Sequence, residues 1–87
     1  MRLKDKVCLI TGGAAGIGKA TAKKFASEGA KVVLCDVDAD AGEVLAEELG
    51  NGASFYKVDV TNRAAVQAWV DDVVKKYGRV DVLVNNA

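Results

Sequence analysis

The sequence predicts an α/β protein in which a parallel sheet carries helices on both faces. Three observations predict it. Four short apolar runs alternate with three helical patterns along 87 residues. Three of the runs are continuously or nearly continuously apolar and rich in Val, as suits strands covered on both faces. A glycine-rich segment joins the first run to the first helical pattern. Strands alternating with helices of this length imply right-handed crossovers and the order β-α-β-α-β-α-β.

The elements follow in order. The first strand is read over Val7–Ile10. In the first helix Ile17, Thr21 and Phe25 recur every four residues, Ala22 and Ala26 widen the stripe, and Gly29 stands where a left-handed residue closes the helix. The second strand is Val32–Cys35. The second helix sets Ala41, Val44, Leu45 and Leu49 on one face, with Asp40 and Glu43 as a capping box and Gly50 as its stop. The third strand, Ser54–Lys57, alternates Phe55 and Lys57 against Tyr56 and Val58, which suits a sheet edge. The third helix starts at Thr61, with Asp59 or Thr61 as its cap. It buries Ala65, Val66, Trp69, Val70, Val73 and Val74 and ends at Gly78. The fourth strand is Val80–Val84.

Composition bounds the function. A chain this short forms one domain and buries only about 60–65% of its unfolded surface. Lys plus Arg is 12 and Asp plus Glu is 12, so the formal charge is zero. This argues against a sequence-wide grip on nucleic acid or an anionic membrane. The absence of histidine removes imidazole acid–base catalysis and His-ligated metals. Cys8 and Cys35 lie inside apolar runs, far from any CxxC spacing, and read as small buried hydrophobes in a reducing compartment. The charged start, Met1 to Lys6, precedes only four apolar residues. That is too short for a signal-peptide core, so a cytoplasmic location is expected.

The glycine-rich turn carries the chemistry. Thr11-Gly12-Gly13-Ala14-Ala15-Gly16-Ile17-Gly18 links the first strand to the first helix. A helix N-terminus offers N–H groups without carbonyl partners and a partial positive charge, which together suit a phosphate. Bare backbone between Gly12 and Gly18 would let a diphosphate approach. A turn that merely connects strand to helix is the plainer reading. Asp36, an acid at the end of the second strand roughly 20 residues beyond the turn, weighs against it.

The spacing TGxxxGIG resembles the cofactor loop of the short-chain dehydrogenase/reductase family. Leu3-Lys4-Asp5-Lys6-Val7 is similar to that family's lead-in to the first strand. Asp59-Val60 is similar to its motif beside the adenine ring, and Gly78 to Ala87 to its fourth strand and the start of NNAG. The overall style is similar to bacterial 3-oxoacyl-acyl-carrier-protein reductases and related sugar or secondary-alcohol dehydrogenases.

The resemblance implies a Rossmann-type three-layer sandwich fragment with four parallel strands in the order 3-2-1-4. The first two helices would cover one face and the third helix the other. Residues 1–87 would form the NAD-binding half-domain without the catalytic half. Gly12, Ala14, Ala15, Gly16, Ile17, Gly18, Asp36, Val37, Asp59, Val60, Asn86 and Ala87 would contact the cofactor. Asn85 and Asn86 could instead satisfy backbone groups at a strand end; by resemblance Asn85-Asn86-Ala87 would lie along the adenosine ribose, with one Asn tying neighbouring strands together.

Asp36 would accept from the adenosine ribose diol and repel a 2′-phosphate. Val37 and Ala15 stand where NADP-preferring relatives usually place a cation, which favours NAD; Lys19 is the remaining candidate for a phosphate contact. The family's chemistry is hydride transfer between a nicotinamide and a carbonyl or secondary alcohol, carried by a Ser and a YxxxK element. Neither Tyr56 nor Tyr77 is followed by Lys four residues later, since those positions hold Val60 and Asp81. No catalytic residue and no metal ligand is therefore assigned, and no turnover is expected from these residues alone. The fourth strand would be an open apolar edge, which predicts a homodimer through that strand. A non-catalytic, self-assembling Rossmann fragment that binds nucleotide weakly is the alternative function. A nucleic-acid-binding module lacks a basic aromatic patch.

Overall fold

A computed structural model describes residues 3–14 and 16–85. Its elements are β1 (Val7–Thr11), α1 (Gly16–Ser27), β2 (Lys31–Asp36), α2 (Ala39–Leu49), β3 (Ser54–Lys57), α3 (Arg63–Tyr77) and β4 (Val82–Asn85). The four strands form one parallel sheet in the order β3-β2-β1-β4. The α/β class, the strand order and the edge position of β3 agree with the sequence reading. The fourth strand begins two residues later than expected. Val80 and Asp81 precede it, and Asp81 instead exchanges backbone and side-chain bonds with Val7.

Alternation along the central strands sorts the core into two layers. Cys8, Ile10, Val32 and Leu34 face one side, where Ala22, Leu45 and Ala46 meet them from α1 and α2. Val7, Leu9, Val33 and Cys35 face the other, under Trp69 and Val73 of α3. Burial on both sides is what the apolar runs of β1 and β2 require, whereas β4, read in the same way, alternates between half-buried and exposed residues. Phe55 packs with the first layer and Tyr56 with the second, which is the alternation read for an edge strand.

The helices sit slightly out of phase with the sequence reading. In α1 the buried stripe runs through Gly18 and Ala22, and Ile17 is 78% exposed. In α2 it runs through Gly42, Leu45 and Ala46, and Val44 is 67% exposed. The reason is close approach. A Cβ on Gly42 would overlap the Phe55 ring, so that ring lies directly on the helix backbone. Small residues bring the helices down onto the sheet, and the branched residues beside them turn outward. Val74 is likewise more exposed than expected.

The helix caps also differ. Asp38, not Asp40 with Glu43, caps α2 by accepting from the N–H of Ala41 at 3.1 Å. Asn62, not Asp59 or Thr61, caps α3 by accepting from the N–H of Ala65 at 3.1 Å. Each lies in extended backbone one residue before its helix, where a side-chain oxygen reaches the first turn. Gly29, Gly50 and Gly78 follow the three helices as expected.

Candidate functional site

The carboxyl ends of β1, β2 and β4 meet the loop between β1 and α1. In a parallel sheet of this kind the crevice outside those ends is where ligands bind. Two glycines shape the loop. Gly16 holds φ +58°, and a Cβ built on it would meet nothing within 4 Å. Open space therefore lies over the start of α1. Gly18 is packed in the opposite sense, since a Cβ there would overlap the carbonyl oxygen of Gly12 and stand 3.0 Å from the Cα of Gly13.

The loop amides divide into two sets. The N–H groups of Gly12 and Gly13 donate to the Cys35 carbonyl at 2.9 and 3.3 Å. That of Ala14 donates to Asp36 Oδ2 at 3.1 Å. Gly12 and Ala14 thus turn their donors back to β2, which corrects the expectation of bare amides throughout Gly12–Gly18. The amides that begin α1, from Gly16, Ile17 and Gly18, lie in the turn that lacks carbonyl partners one turn back. Ala15, Asn86 and Ala87 lie outside the described residues.

Asp36 and Asp59 border one cleft of about 180 Å³, lined by Gly12, Asp36, Val37, Val58, Asp59 and Val60. Five of the residues read from the sequence are thus brought together. Asp59 Oδ1 accepts from both the N–H and the hydroxyl of Thr61, at 2.9 and 2.7 Å. These bonds hold its carboxyl below the ordinary range, with the hydroxyl bond the larger cause. Val60 is shared with an adjoining cleft of about 350 Å³, lined also by Thr11, Thr61, Val66, Leu83 and Asn85. A larger cleft, of about 380 Å³, lies among Leu3, Lys24, Phe25 and Glu28 at the amino ends of the strands. It is remote from the loop and takes no part in the site.

Asn85 ties strands together. The Thr11 hydroxyl donates to Asn85 Oδ1 at 2.9 Å, joining the ends of β1 and β4. Lys19 lies apart from the cleft bordered by Asp36 and Asp59, in a groove between α1 and α2 with Ala14, Asp40, Val44 and Glu48. The tyrosines serve packing. Tyr77 donates to the Gly52 carbonyl at 2.6 Å and lies 3.0 Å from the Ser54 hydroxyl, fastening α3 to the start of β3. Sequence reasoning missed Gly13, where a Cβ would stand 2.6 Å from Leu34 Cδ2. The only sequence signal was its place in the glycine run.

A parallel sheet in this order, with a glycine turn opening the first helix at its carboxyl edge, defines a Rossmann-type α/β protein. The family model described as short chain dehydrogenase matches residues 6–87, and the chain belongs to that family. It is 51% identical over 90 residues to a 3-oxoacyl-[acyl-carrier-protein] reductase of Thermotoga maritima, covering 100% of this chain and 37% of that protein. It is 49% identical over 86 residues to tropinone reductase-like 2 of Erythroxylum coca, covering 99% and 31%. Among solved structures, the 3-ketoacyl-(acyl-carrier-protein) reductase of Brucella melitensis complexed with NADH superposes with a TM-score of 0.88 at 43% identity, covering 93% of this chain and 33% of that one. The chain spans about a third of the length of these relatives. Among the described residues no helix is long and apolar enough to cross a membrane.

Proposed function

We propose that this chain is the NAD-binding half-domain of a short-chain oxidoreductase that transfers hydride between a nicotinamide and a carbonyl or secondary alcohol. The observation that carries the reading is the cleft bordered by Asp36 and Asp59 at the carboxyl ends of the strands, together with the open space over Gly16 at the start of α1. The amides of Gly16, Ile17 and Gly18 and the N-terminal dipole of α1 hold the diphosphate. Asp36 accepts from the adenosine ribose, with Val37 beside it. Asp59 Oδ2 accepts from the adenine amino group, and Val60 gives the ring an apolar wall. Gly12 lines the cleft and Ala14 is held against Asp36, and Ala14, Ala15, Asn86 and Ala87 complete the contacts by family resemblance. The cofactor supplies the hydride chemistry, and these residues hold its adenosine end.

Asp36 favours NAD because a carboxylate in a partly desolvated cleft repels a 2′-phosphate. Calorimetric titration with NAD and NADP tests this. NAD binds more tightly, and Asp36→Ala removes the preference. Tighter NADP binding by the unaltered chain would refute it.

The alternative, a non-catalytic fragment that pairs with itself, is favoured by the β4 edge. Leu83 pairs with Leu9 on the α3 face yet is 55% exposed. Among the described residues no strand lies beyond β4, and an apolar edge strand is a template for another strand. For the 87 residues alone, light scattering then gives the mass of a dimer, and a monomer at micromolar concentration refutes pairing.

A further inference from the structure

The Asp36 carboxylate makes more bonds than a ribose acceptor needs. Oδ1 accepts from the N–H groups of Val37 at 2.7 Å and Asp38 at 3.2 Å. These bonds are local and fix the side-chain rotamer. Oδ2 accepts from the N–H of Ala14 at 3.1 Å, a bond between residues 22 apart in sequence. The preceding residue, Cys35, takes the N–H groups of Gly12 and Gly13 on its carbonyl. Two successive residues at the end of β2 therefore hold three successive amides of the loop. A carboxylate offers about four lone-pair sites. Three are filled, which leaves one site, on Oδ2, for a ribose hydroxyl.

Resting on the dinucleotide reading above, we propose that Asp36 is also a positioning residue, whose bond to Ala14 sets where α1 presents the amides of Gly16, Ile17 and Gly18 to a diphosphate. The loop needs such a bond. Glycine adopts left- and right-handed backbone with similar ease, and Gly12 and Gly16 both sit at positive φ. Without an external anchor these residues leave the segment many conformers. Hydrogen bonds to a charged acceptor are roughly twice as strong as neutral ones, so the Asp36 bond is the stronger kind of anchor. One side chain then links the ribose end of the ligand to the diphosphate end. A substitution made at Asp36 to admit NADP weakens the diphosphate grip at the same time.

The test compares ADP with 2′,3′-dideoxy-ADP, which has no ribose hydroxyls, on the unaltered chain and on Asp36→Ala. Asp36→Ala weakens dideoxy-ADP roughly tenfold, the effect of losing about one charge-assisted hydrogen bond. Exchange of the Ala14 amide with deuterium quickens by at least about tenfold, since the amide loses its acceptor. The Leu9 and Leu34 amides keep their protection and report an intact core. Should the alanine variant lose that protection, Asp36→Asn keeps the shape with fewer acceptor sites and gives smaller shifts in the same readouts. Unchanged dideoxy-ADP affinity with weakened ADP, or unchanged exchange at Ala14, would overturn the positioning role. If the unaltered chain binds neither nucleotide, the dinucleotide reading fails, while exchange at Ala14 still decides whether the anchor exists.

Discussion

Replacing Gly18 with alanine tests whether α1 must touch the glycine loop. The added methyl would overlap the Gly12 carbonyl oxygen and stand 2.9 Å from the Gly12 carbonyl carbon. Both atoms are backbone, so relief requires moving the loop away from the helix. Overpacking of this kind costs about 1–3 kcal/mol. Alanine returns up to about 1 kcal/mol through its helix propensity. With backbone atoms as the obstacle the upper part of the overpacking range, about 2–3 kcal/mol, applies, and the net loss is about 1–2 kcal/mol, against a total of about 4–13 kcal/mol for 87 residues. In a domain of this size that lowers Tm by roughly 5–15 °C. Urea unfolding followed by the Trp69 signal shows a lower midpoint with an unchanged slope. Gly16→Ala is the contrast. Its methyl enters open space and meets nothing, at a backbone cost of about 1–2 kcal/mol for the positive φ. Its larger effect falls on NAD affinity, because the methyl occupies the space over the helix start. A Gly18→Ala variant as stable as the unaltered chain would refute the close-contact argument.

Other predictions follow from the caps, the carboxylates and the thiols. Asp38→Ala and Asn62→Ala each lower stability by about 1 kcal/mol in urea unfolding, and Asn62→Ala costs more than Thr61→Ala because Asn62 is the cap. Asp81 accepts from Arg79 and from the Val7 amide, and its carboxyl is held below the ordinary range, chiefly by the Arg79 bond. Its folded pKa lies under the unfolded value, so its stabilisation is complete above about pH 4 and is lost as pH falls through the folded value. Asp81→Asn should flatten acid unfolding in that window, and an unchanged acid limb would refute the assignment. Burial pushes the Cys35 thiol up to about 11, and burial likewise raises that of Cys8. Neither should react with a thiol reagent at pH 8 until the chain unfolds. Rapid labelling of the folded chain would show that these thiols are accessible.

Features that depend on local pattern were legible in the chain alone. Valine-rich runs that need cover on both faces announced a parallel sheet, and the alternation around Phe55 and Tyr56 announced its edge. The glycine turn before α1 and Asp36 at the end of β2 marked the candidate site, because a helix start and a strand end are each set by neighbours in sequence. The tertiary structure decided what depends on atoms brought together from afar. Val44 could be read as buried until Phe55, arriving from β3, was seen to lie on Gly42 instead. Three residues with capping side chains stand within Asp59–Asn62, and only backbone geometry selected Asn62. The bond from Ala14 to Asp36 spans 22 residues, and that from Val7 to Asp81 spans 74. Neither leaves a periodic trace along the chain, since a single hydrogen bond constrains two positions and no interval between them.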